Sequence, residues 1–488
     1  MGVGTPDLIF KRCQKEAPFF GACSTYECGK ATADAAFDYT LQGETLLQKL
    51  WKVRFMEKII INGGKPLLGD VEISGMKNAA VAVILSTILV EDICVLENLP
   101  DISDVALSLE ILSRMGAQIR RRSPTTVEIN TKTVVGGTAP YDLVRKMRAS
   151  YYIIGAELGR FRRASAGFPG GCDFGVRPID LHIKGFEALG AAVTVDNGRI
   201  EADASEGGLH GDSIYFDINS VGATINIIIA AVRAKGTTII ENAAREPHVV
   251  DLANFLNACG AKISGAGTDV IKIRGVDRLY GCTYAIIPDM IEAATFMIAA
   301  AATGGHLRIN NVIPKHLESI SAKMEEMGVK IEELDDAVVV DSTGAALNRA
   351  TVRTQPYPGF PTDAQPQMAV LLCLARGVST LYENVWDNRF KYVEELQRMG
   401  AKIKVDGNTA IFEGVPSLCG APVRAVDLRA GAAMIVAGLC AVGHTEIEEI
   451  HHIERGYDDI VGKLRSVGAD IQKVSVPDPY VNAPKAVG

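Results

Sequence analysis

The sequence has no long apolar segment. Its richest apolar run, from Ala293 to Ala302, is far shorter than the roughly 20 residues of a membrane-spanning helix. An excess of positive charge is also missing, because the formal net charge is −8. We therefore expect neither a membrane protein nor a general nucleic-acid binder. A small anionic substrate, held by a few local arginines, remains compatible with this charge.

The cysteines show neither CxxC pairs nor His/Cys clusters at zinc spacing, although there are ten of them. A chain of 488 residues does not need disulfides to stabilise its core, so we expect a reducing cytosol and a cytoplasmic protein. Residues 1–55 contain no apolar signal-peptide core and differ in character from the rest of the chain. We interpret them as an N-terminal extension, disordered or non-native, with Met56 as the natural start.

A short phrase built around glycine occurs six times, at a spacing of about 70 residues. Each copy closes an amphipathic helix and precedes a β-branched strand, as in "NACGAKI" and "QRMGAKI". Glycine suits the residue after a helix because that position is usually left-handed. The six glycines are Gly116, Gly190, Gly260, Gly328, Gly400 and Gly468.

A second set of helices is apolar on nearly all faces, as in "GATINIIIAAVRAKG" and "AAMIVAGLCAVG". Such helices must be buried on more than one side. We therefore predict an α/β protein with helices inside, sheets outside and three repeats in each of two domains. The alternative is a chain of ordinary βα units in one doubly wound sheet.

The loops before the glycine-terminated helices carry arginines at equivalent places: Arg177, Arg245, Arg389 and Arg455. If the domains face each other, several of these arginines would converge on one cleft, where guanidinium groups suit phosphate and carboxylate. The alternative is that each is a solvated surface arginine in an ion pair.

Cys172 lies in the glycine-rich stretch "FPGGCDFGVRP". Gly170, Gly171 and Gly175 disfavour a packed helix or strand there, and the charge of Arg177 would lower the thiol's pKa. We interpret the stretch as a lid that carries a reactive thiol. Cys94, Cys259, Cys373 and Cys440 instead fit apolar strand or helix patterns and are predicted to be buried core residues.

Two further stretches combine a charged residue with the start of a buried helix. Lys77 and Asn78 in "ISGMKNAA" precede an apolar helix, whose N-terminus favours an anion. Asp363 in "PGFPTDAQPQ" precedes another. It is either an N-cap or a carboxylate that accepts a hydroxyl proton as general base.

The chain from Met56 to about Val474 resembles the UDP-N-acetylglucosamine 1-carboxyvinyltransferases, a family of enolpyruvyl transferases. The resemblance rests on "SGMKNAA", "PGGCDFGVRPIDLHI", "SVGATINI", "ENAAREP", "FPTDAQPQ", "DLRAGAAM" and "HIERGYDDI", in the family's order. It implies an inside-out α/β barrel with six βαβαββ-type repeats. One domain would comprise residues 56–76 and 288–474 and the other residues 77–287, with residues 475–488 as a tail.

The resemblance also implies the reaction. Phosphoenolpyruvate and the 3′-hydroxyl of UDP-N-acetylglucosamine would give an enolpyruvyl ether and phosphate, the committed step of peptidoglycan synthesis, without metal or organic cofactor. Cys172 would be the general acid and the target of fosfomycin, Asp363 the base, and Lys77 a catalytic cation. Lys77, Asn78, Arg177 and Arg455 would bind phosphoenolpyruvate.

For UDP-N-acetylglucosamine the resemblance implies a set of binding residues drawn from several loops: Arg148, Arg177, Pro178, Ile179, Asp180, Leu181, Ser220, Val221, Gly222, Asp363 and Val385. Five further residues would line the cleft: Glu246, Asp289, Arg389, Asp427 and Arg429. The sequence departs from the family at Ile218, where many relatives have lysine, and at Trp386, where another aromatic is common.

Two alternatives are weighed against this function. One is the related enolpyruvyl transferase of the 5-enolpyruvylshikimate-3-phosphate synthase type, which lacks the "PGGCDF" loop. The other is a non-catalytic paralogue that binds the sugar nucleotide; it predicts the loss of Cys172, Asp363 or an anion-binding arginine, and all of these are present.

Overall fold

The computed structural model describes residues 55–137, 139–167, 179–196 and 198–477. Within these, Glu57–Val476 form one compact unit. Three predicted site residues, Cys172, Arg177 and Pro178, lie outside the described residues. So do residues 1–54 of the predicted extension and residues 478–488 of the predicted tail.

The described chain contains thirteen α-helices. In chain order they are α1 Lys77–Ser86, α2 Ser103–Arg114, α3 Tyr141–Val144, α4 Tyr152–Phe161, α5 Asp180–Ala188, α6 Val221–Ala231, α7 Pro247–Ala258, α8 Met290–Thr303, α9 Glu318–Glu326, α10 Gln365–Leu374, α11 Val393–Arg398, α12 Leu428–Cys440 and α13 Ile460–Ser466. The 3₁₀ helices are Thr87–Leu89, Arg148–Tyr151, Pro314–His316, Thr362–Ala364, Arg389–Tyr392 and Ile450–His452. None of the described helices has the length and apolar character needed to cross a membrane.

The strands alternate with these helices. The first thirteen are β1 Phe55–Asn62, β2 Leu68–Glu72, β3 Ile93–Glu97, β4 Gln118–Ser123, β5 Thr126–Asn130, β6 Arg163–Gly167, β7 Ala192–Asp196, β8 Arg199–Asp203, β9 Ser213–Tyr215, β10 Thr237–Glu241, β11 Lys262–Ser264, β12 Val270–Arg274 and β13 Thr283–Ala285. The others are β14 His306–Asn310, β15 Lys330–Glu333, β16 Ala337–Asp341, β17 Thr351–Arg353, β18 Val378–Tyr382, β19 Lys402–Asp406, β20 Thr409–Glu413, β21 Pro422–Arg424, β22 His444–Glu448 and β23 Asp470–Pro477.

The described strands form six small sheets rather than one large sheet. Three sheets, β21-β22-β1-β23, β15-β16-β14-β2 and β17-β18-β20-β19, take their strands from residues 55–72 and 306–477. The other three, β11-β12-β10-β9, β13-β3-β5-β4 and β6-β8-β7, use residues 93–285. The prediction of an α/β fold built from six repeated units is therefore confirmed, and the single doubly wound sheet is wrong.

Parallel and antiparallel pairs combine in the same way in several sheets. Strand β14, for example, pairs in parallel with β2 and antiparallel with β16, with Leu307 opposite both Gly69 and Val340. The apolar side chains alternate along β14, so that Leu307 and Ile309 are fully buried while Arg308 is exposed. One face of each such sheet therefore covers the helical core and the other faces solvent.

Apolar helices fill the interior, as the sequence predicts. Helix α8 packs against α10 and α12, which also pack on each other, and α4 packs against α1 and α6. Ile225, Ile227, Ile228 and Ile229 of α6 are all fully buried. Burial of one such side chain contributes roughly 1.5–3 kcal/mol, which explains why these helices tolerate so few polar residues.

The repeated glycines end the outer helices in the predicted way. Their φ angles lie between 91° at Gly400 and 102° at Gly116. A side chain is unfavourable at such angles because Cβ approaches the following carbonyl oxygen. Each glycine therefore redirects the chain from a helix into the following strand, and this prediction is confirmed.

The chain passes between residues 72 and 77, and again between residues 285 and 290, along adjacent paths. Gly75 forms an antiparallel β-bridge with Pro288. The amide of Met76 donates to the carbonyl of Ile287 at 2.7 Å, and the amide of Asp289 donates to the carbonyl of Ser74 at 2.9 Å. These two segments separate the two sets of sheets in sequence. The division into two domains at this point stays a prediction.

Candidate active site

Helix α1 begins beside these connecting segments, and its first residue is Lys77. The backbone amide of Lys77 donates to Asp289 Oδ2 at 3.2 Å. Asp289 Oδ1 also accepts from the amides of Ile291 and Glu292 at 2.8 and 3.2 Å, at the start of α8. Asp289, predicted as a cleft residue, is thus a buried carboxylate that caps one helix and binds the first amide of another.

The Lys77 side chain belongs to a three-residue charge cluster. Its Nζ atom lies 3.0 Å from Asp104 Oδ2, and Arg455 Nε lies 3.0 Å from Asp104 Oδ1. Burial acts to raise the pKa of Asp104, but the charges of Lys77 and Arg455 outweigh it and lower the pKa. Two cations predicted to bind the same anion are therefore held together by one ionised carboxylate.

A second charge cluster surrounds Asp363. Arg389 Nη2 lies 3.3 Å from Asp363 Oδ1, and Arg429 Nη2 lies 3.3 Å from Asp363 Oδ2. The two arginine side chains are almost fully buried, whereas that of Asp363 is 33% exposed. Helix α10 has no side-chain cap, so the N-cap alternative for Asp363 is wrong. Its carboxylate instead neutralises two arginines and remains partly exposed.

The two clusters lie close enough to influence each other electrostatically. Loss of solvent acts to raise the pKa of Asp363, but Arg429, Arg389, Lys77 and Arg148 lower it to about 2. These cations come from four loops or helix starts that lie far apart in the sequence. The structure therefore brings Lys77, Arg148, Arg389 and Arg429 around one carboxylate, in a site suited to small anions.

Matches to known proteins span the part of the chain that carries this site. The family model described as EPSP synthase (3-phosphoshikimate 1-carboxyvinyltransferase) matches residues 61–464. The chain belongs to the enolpyruvyl transferase family. It is 56% identical to UDP-N-acetylglucosamine 1-carboxyvinyltransferase of Clostridium botulinum, over 86% of this chain and 100% of that protein. It is 50% identical to UDP-N-acetylglucosamine 1-carboxyvinyltransferase 2 of Listeria monocytogenes, over 86% of this chain and 99% of that protein.

Solved structures of enolpyruvyl transferases share the fold. The enolpyruvyl transferase NikO from Streptomyces tendae superimposes with a TM-score of 0.78 at 26% identity, covering 87% of this chain and all of that one. EPSP synthase from Acinetobacter baumannii gives a TM-score of 0.66 at 18% identity, over 86% of this chain and all of that one. The second match is evidence for the fold alone.

In this enolpyruvyl transferase the predicted sugar-nucleotide residues lie at helix starts and loops. Ser220 accepts a hydrogen bond from the amide of Ala223 at 3.3 Å and so caps α6, which Val221 and Gly222 begin. Arg148 starts a 3₁₀ helix, and its guanidinium lies 5.7 Å from the ring centre of Trp386. Ile179 and Asp180 are at least partly exposed, while Leu181 is buried.

Other predicted residues have different surroundings. Asp427 caps α12 by accepting from the amides of Arg429 and Ala430 at 2.9 and 3.0 Å. Glu246 accepts from the amide of Tyr357 at 3.3 Å, and burial raises its pKa. Arg245 is exposed, so among the described residues Arg389 and Arg455 are the matched-loop arginines that join the charge clusters. Asn78 follows Lys77 in α1 and is partly exposed.

Glu383, which was not among the predicted site residues, organises the loop that carries Val385. Its Oε1 atom accepts from the amides of Val385 and Trp386 at 2.9 and 3.0 Å. Its Oε2 atom accepts from the hydroxyl of Thr362 at 2.9 Å, next to Asp363. The only indication in the sequence is that Glu383 directly follows strand β18. This position does not predict its role, because some of its hydrogen-bond partners lie in other loops.

Asp104 and His248 were also missed. Asp104 lies in the first turn of α2, where a carboxylate is ordinary because it offsets the helix dipole. His248 lies in the first turn of α7, and burial is the main cause that lowers its pKa to about 4. Its Nδ1 atom is buried without a hydrogen-bond partner among the described residues. His248 follows the loop from which only Arg245 and Glu246 had been predicted, whereas no residue of the loop before Asp104 had been singled out.

Proposed function

We propose that this protein transfers the enolpyruvyl group of phosphoenolpyruvate to the 3′-hydroxyl of UDP-N-acetylglucosamine, releasing phosphate for peptidoglycan synthesis. The observation that carries the proposal is 56% identity to a UDP-N-acetylglucosamine 1-carboxyvinyltransferase over that protein's full length. The clustering of Lys77, Arg455, Arg389 and Arg429 around two carboxylates supports it, because both substrates are anions.

Phosphoenolpyruvate binds, in this proposal, between Lys77, Asn78, Arg177 and Arg455. The two described cations of this set both contact Asp104. A bound phosphate would share the hydrogen-bond donors of Lys77 and Arg455 with Asp104. Asp104 therefore positions the two cations and partly neutralises their charge. This arrangement keeps the cations in place without substrate.

The proposed chemistry is an addition followed by an elimination. The Cys172 thiol donates a proton to the methylene carbon of phosphoenolpyruvate, and the 3′-oxygen bonds to the adjacent carbon while Asp363 accepts the hydroxyl proton. The Cys172 thiolate then accepts a proton from the methyl group, which restores the double bond as the bond between carbon and the phosphate oxygen breaks. The surrounding cations stabilise the leaving phosphate.

The low pKa of Asp363 makes its carboxylate a weak base. Arg389 and Arg429, which are the nearest cations, cause much of this lowering. Bound substrate anions would draw part of that positive charge away and exclude water, and both effects raise a carboxylate's pKa. Asp363 therefore becomes a better base only when both substrates are present.

The wider setting of the reaction belongs to the same proposal. Substrates bind between a domain of residues 56–76 and 288–474 and a domain of residues 77–287. Fosfomycin alkylates Cys172, and the protein works in the cytoplasm. The six described cysteines, which are all free thiols, fit a reducing compartment.

The test is phosphate release from phosphoenolpyruvate with UDP-N-acetylglucosamine as the acceptor, compared with shikimate 3-phosphate. We expect release only with the sugar nucleotide. Release only with shikimate 3-phosphate would establish the alternative enolpyruvyl transferase. Binding of the sugar nucleotide without any turnover would establish the non-catalytic paralogue.

Three variants assign the roles. Cys172→Ala should abolish phosphate release and fosfomycin labelling while sugar-nucleotide binding persists, and Asp363→Asn should lower kcat by about 10²–10⁴-fold. Cys419→Ala, which removes an exposed thiol, is the matched control and should keep the parent rate. If Cys172→Ala releases phosphate at the parent rate, the thiol is not the acid.

A further inference from the structure

Three thiols from distant parts of the sequence meet at one edge of the sheet β13-β3-β5-β4. Cys94 lies on β3, Cys259 directly follows α7, and Cys282 directly precedes β13. The sulfur atoms of Cys259 and Cys282 are 3.4 Å apart. A disulfide bond is about 2.05 Å long, so this pair needs to approach by roughly 1.4 Å.

Backbone hydrogen bonds hold the pair in place. The carbonyl of Cys259 accepts from the amide of Tyr280 at 2.8 Å, two residues before Cys282. The carbonyl of Cys282 accepts from the amide of Val95 at 2.8 Å, and Thr283 is the register partner of Val95. The contact between the two sulfur atoms therefore belongs to the packed fold rather than to a loose loop.

The two thiols differ in accessibility. Cys259 is fully buried, whereas Cys282 is partly exposed. Thiol hydrogen bonds from Cys259 and then Cys94 lower the pKa of Cys282, because they stabilise its thiolate. The hydrogen bond to Cys282 is the largest cause that raises the pKa of Cys259. The accessible sulfur of Cys282 is therefore the one that a peroxide can reach, and the buried sulfur of Cys259 lies 3.4 Å behind it.

We propose that Cys259 and Cys282 form a redox pair that hydroperoxides convert to a disulfide. The Cys282 thiolate attacks one peroxide oxygen, which breaks the O–O bond, forms a sulfenic acid and releases water after protonation. The Cys259 thiol then attacks the Cys282 sulfur, forming the S–S bond and releasing a second water. Two thiols and one hydrogen peroxide thus give one disulfide and two waters.

Cys94 is less suited than Cys259 as the resolving thiol. Because Thr283 pairs with Val95, Cys94 and Cys282 lie side by side on neighbouring parallel strands. The sulfur–sulfur contact of 3.4 Å joins Cys282 to Cys259, which lies at the end of a helix. Cys259 is therefore the thiol placed to resolve an oxidised Cys282.

The disulfide would connect α7 to the segment that leads into the active site. Strand β13 continues through Ile287 to Asp289, which binds the amide of Lys77. The hydroxyl of Tyr284, on β13, already donates to Asp251 of α7 at 2.7 Å. Oxidation would make this non-covalent attachment covalent.

The experiment maps disulfides in the whole protein after treatment with hydrogen peroxide. Trypsin places the three cysteines in three different peptides, residues 78–114, 246–262 and 279–308, so mass spectrometry identifies each partner. We expect peptides 246–262 and 279–308 to become linked and dithiothreitol to separate them. The fraction of Cys282 that N-ethylmaleimide alkylates should fall to below about a tenth of its value in untreated protein. Free thiols at both positions, or a link from either one to another cysteine, would overturn the proposal.

Two variants separate the attacking thiol from the resolving thiol. In Cys259→Ala, peroxide should leave Cys282 as a sulfenic acid that dimedone labels, whereas Cys94→Ala should still form the 259–282 link. Circular dichroism confirms that each variant is folded. If Cys259→Ala does not fold, the disulfide maps of the parent protein and of Cys94→Ala still identify the cysteine that pairs with Cys282. Dimedone labelling of Cys259 in a Cys282→Ala variant, at the rate found for Cys282, would contradict the assigned order.

Discussion

The Asp104 carboxylate lies 3.0 Å from the Lys77 ammonium, and its other oxygen lies 3.0 Å from Arg455 Nε. The three side chains are mostly buried, with Asp104 only 4% exposed. Arg455 is 351 residues away from Asp104 in the chain. This aspartate therefore joins two residues that are far apart in the sequence, Lys77 and Arg455, at the proposed phosphoenolpyruvate site.

Replacement of this carboxylate should destabilise the protein and create an anion dependence. Asp104→Asn removes the carboxylate that Lys77 and Arg455 share, so we expect the free energy of unfolding to fall by about 2–4 kcal/mol. Inorganic phosphate should restore stability to the variant more than it stabilises the parent, because the anion replaces the lost charge. Urea denaturation with and without phosphate measures both effects.

The control for this variant is Asp101→Asn, three residues earlier, which removes an exposed carboxylate 3.5 Å from Arg121. We expect a change within about 0.5 kcal/mol, since surface ion pairs contribute little. Equal losses in the two variants would mean that the Lys77–Asp104–Arg455 cluster does not stabilise the fold.

Two buried histidines should make the protein sensitive to mild acid. Burial is the main cause that lowers the pKa of His182 and of His248 to about 4, from an ordinary value of 6.5. The unfolded chain therefore binds protons first as the pH falls. The stabilisation is complete above pH 6.5 and is lost as the pH falls to about 4, at up to about 3 kcal/mol for each histidine.

The measurement compares urea midpoints of the parent with those of His182→Gln and His248→Gln between pH 7 and 4. Glu157 and Glu292 have pKa values raised to about 7, mainly by burial, so they shift stability in the opposite direction. The difference between parent and variant removes their contribution. We expect each variant to lose less stability than the parent over this range, and parallel curves would contradict the prediction.

Glu383 should be required for the order of the loop that carries Val385. Its carboxylate accepts four hydrogen bonds, from the amides of Val385 and Trp386 and the hydroxyls of Thr354 and Thr362. Glu383→Gln places an amide donor against these donors, so we expect a loss of about 2–3 kcal/mol. Under the proposed function the Kd for UDP-N-acetylglucosamine also rises. The matched control is Glu413→Gln, an exposed residue paired with Lys402; an equal loss there would refute the assignment.

The helix-ending glycines allow backbone strain to be separated from steric clash. A Cβ atom added at Gly400 meets nothing within 4 Å, so Gly400→Ala should cost only the strain of a φ angle of 91°, about 1–2 kcal/mol. A Cβ atom at Gly116 would lie 2.8 Å from the carbonyl oxygen of Thr133. Gly116→Ala should therefore cost measurably more in urea denaturation. Equal costs would show that the neighbouring chain moves aside freely.

The sequence predicts those features that local patterns encode. The repeated glycines follow from left-handed backbone geometry, and the buried helices follow from apolar residues on every face. The gathering of Arg389, Arg429 and Lys77 near Asp363 was predicted from matched loops and from the family resemblance, and the structure brings these residues together. Their catalytic roles stay predictions.

Contacts between distant segments were not predictable in the same way. Asp104 is locally an ordinary first-turn carboxylate, and only the fold brings Arg455 to it. The apolar pattern around Cys259 predicts a buried residue, and Cys259 is fully buried. Its contact with Cys282 depends on the pairing of β13 with β3, which local composition does not specify.

The paired segments at Gly75 and Pro288 have a consequence for how this chain can be divided. Residues 77–287 enter and leave at neighbouring points, where Met76 donates to Ile287 and Asp289 donates to Ser74. An inserted piece with adjacent ends can be removed, and the gap closed by a short linker, with little change in loop-closure entropy. Under the predicted division into two domains, each domain would therefore be a unit for separate expression and for exchange with the homologous domain of a relative.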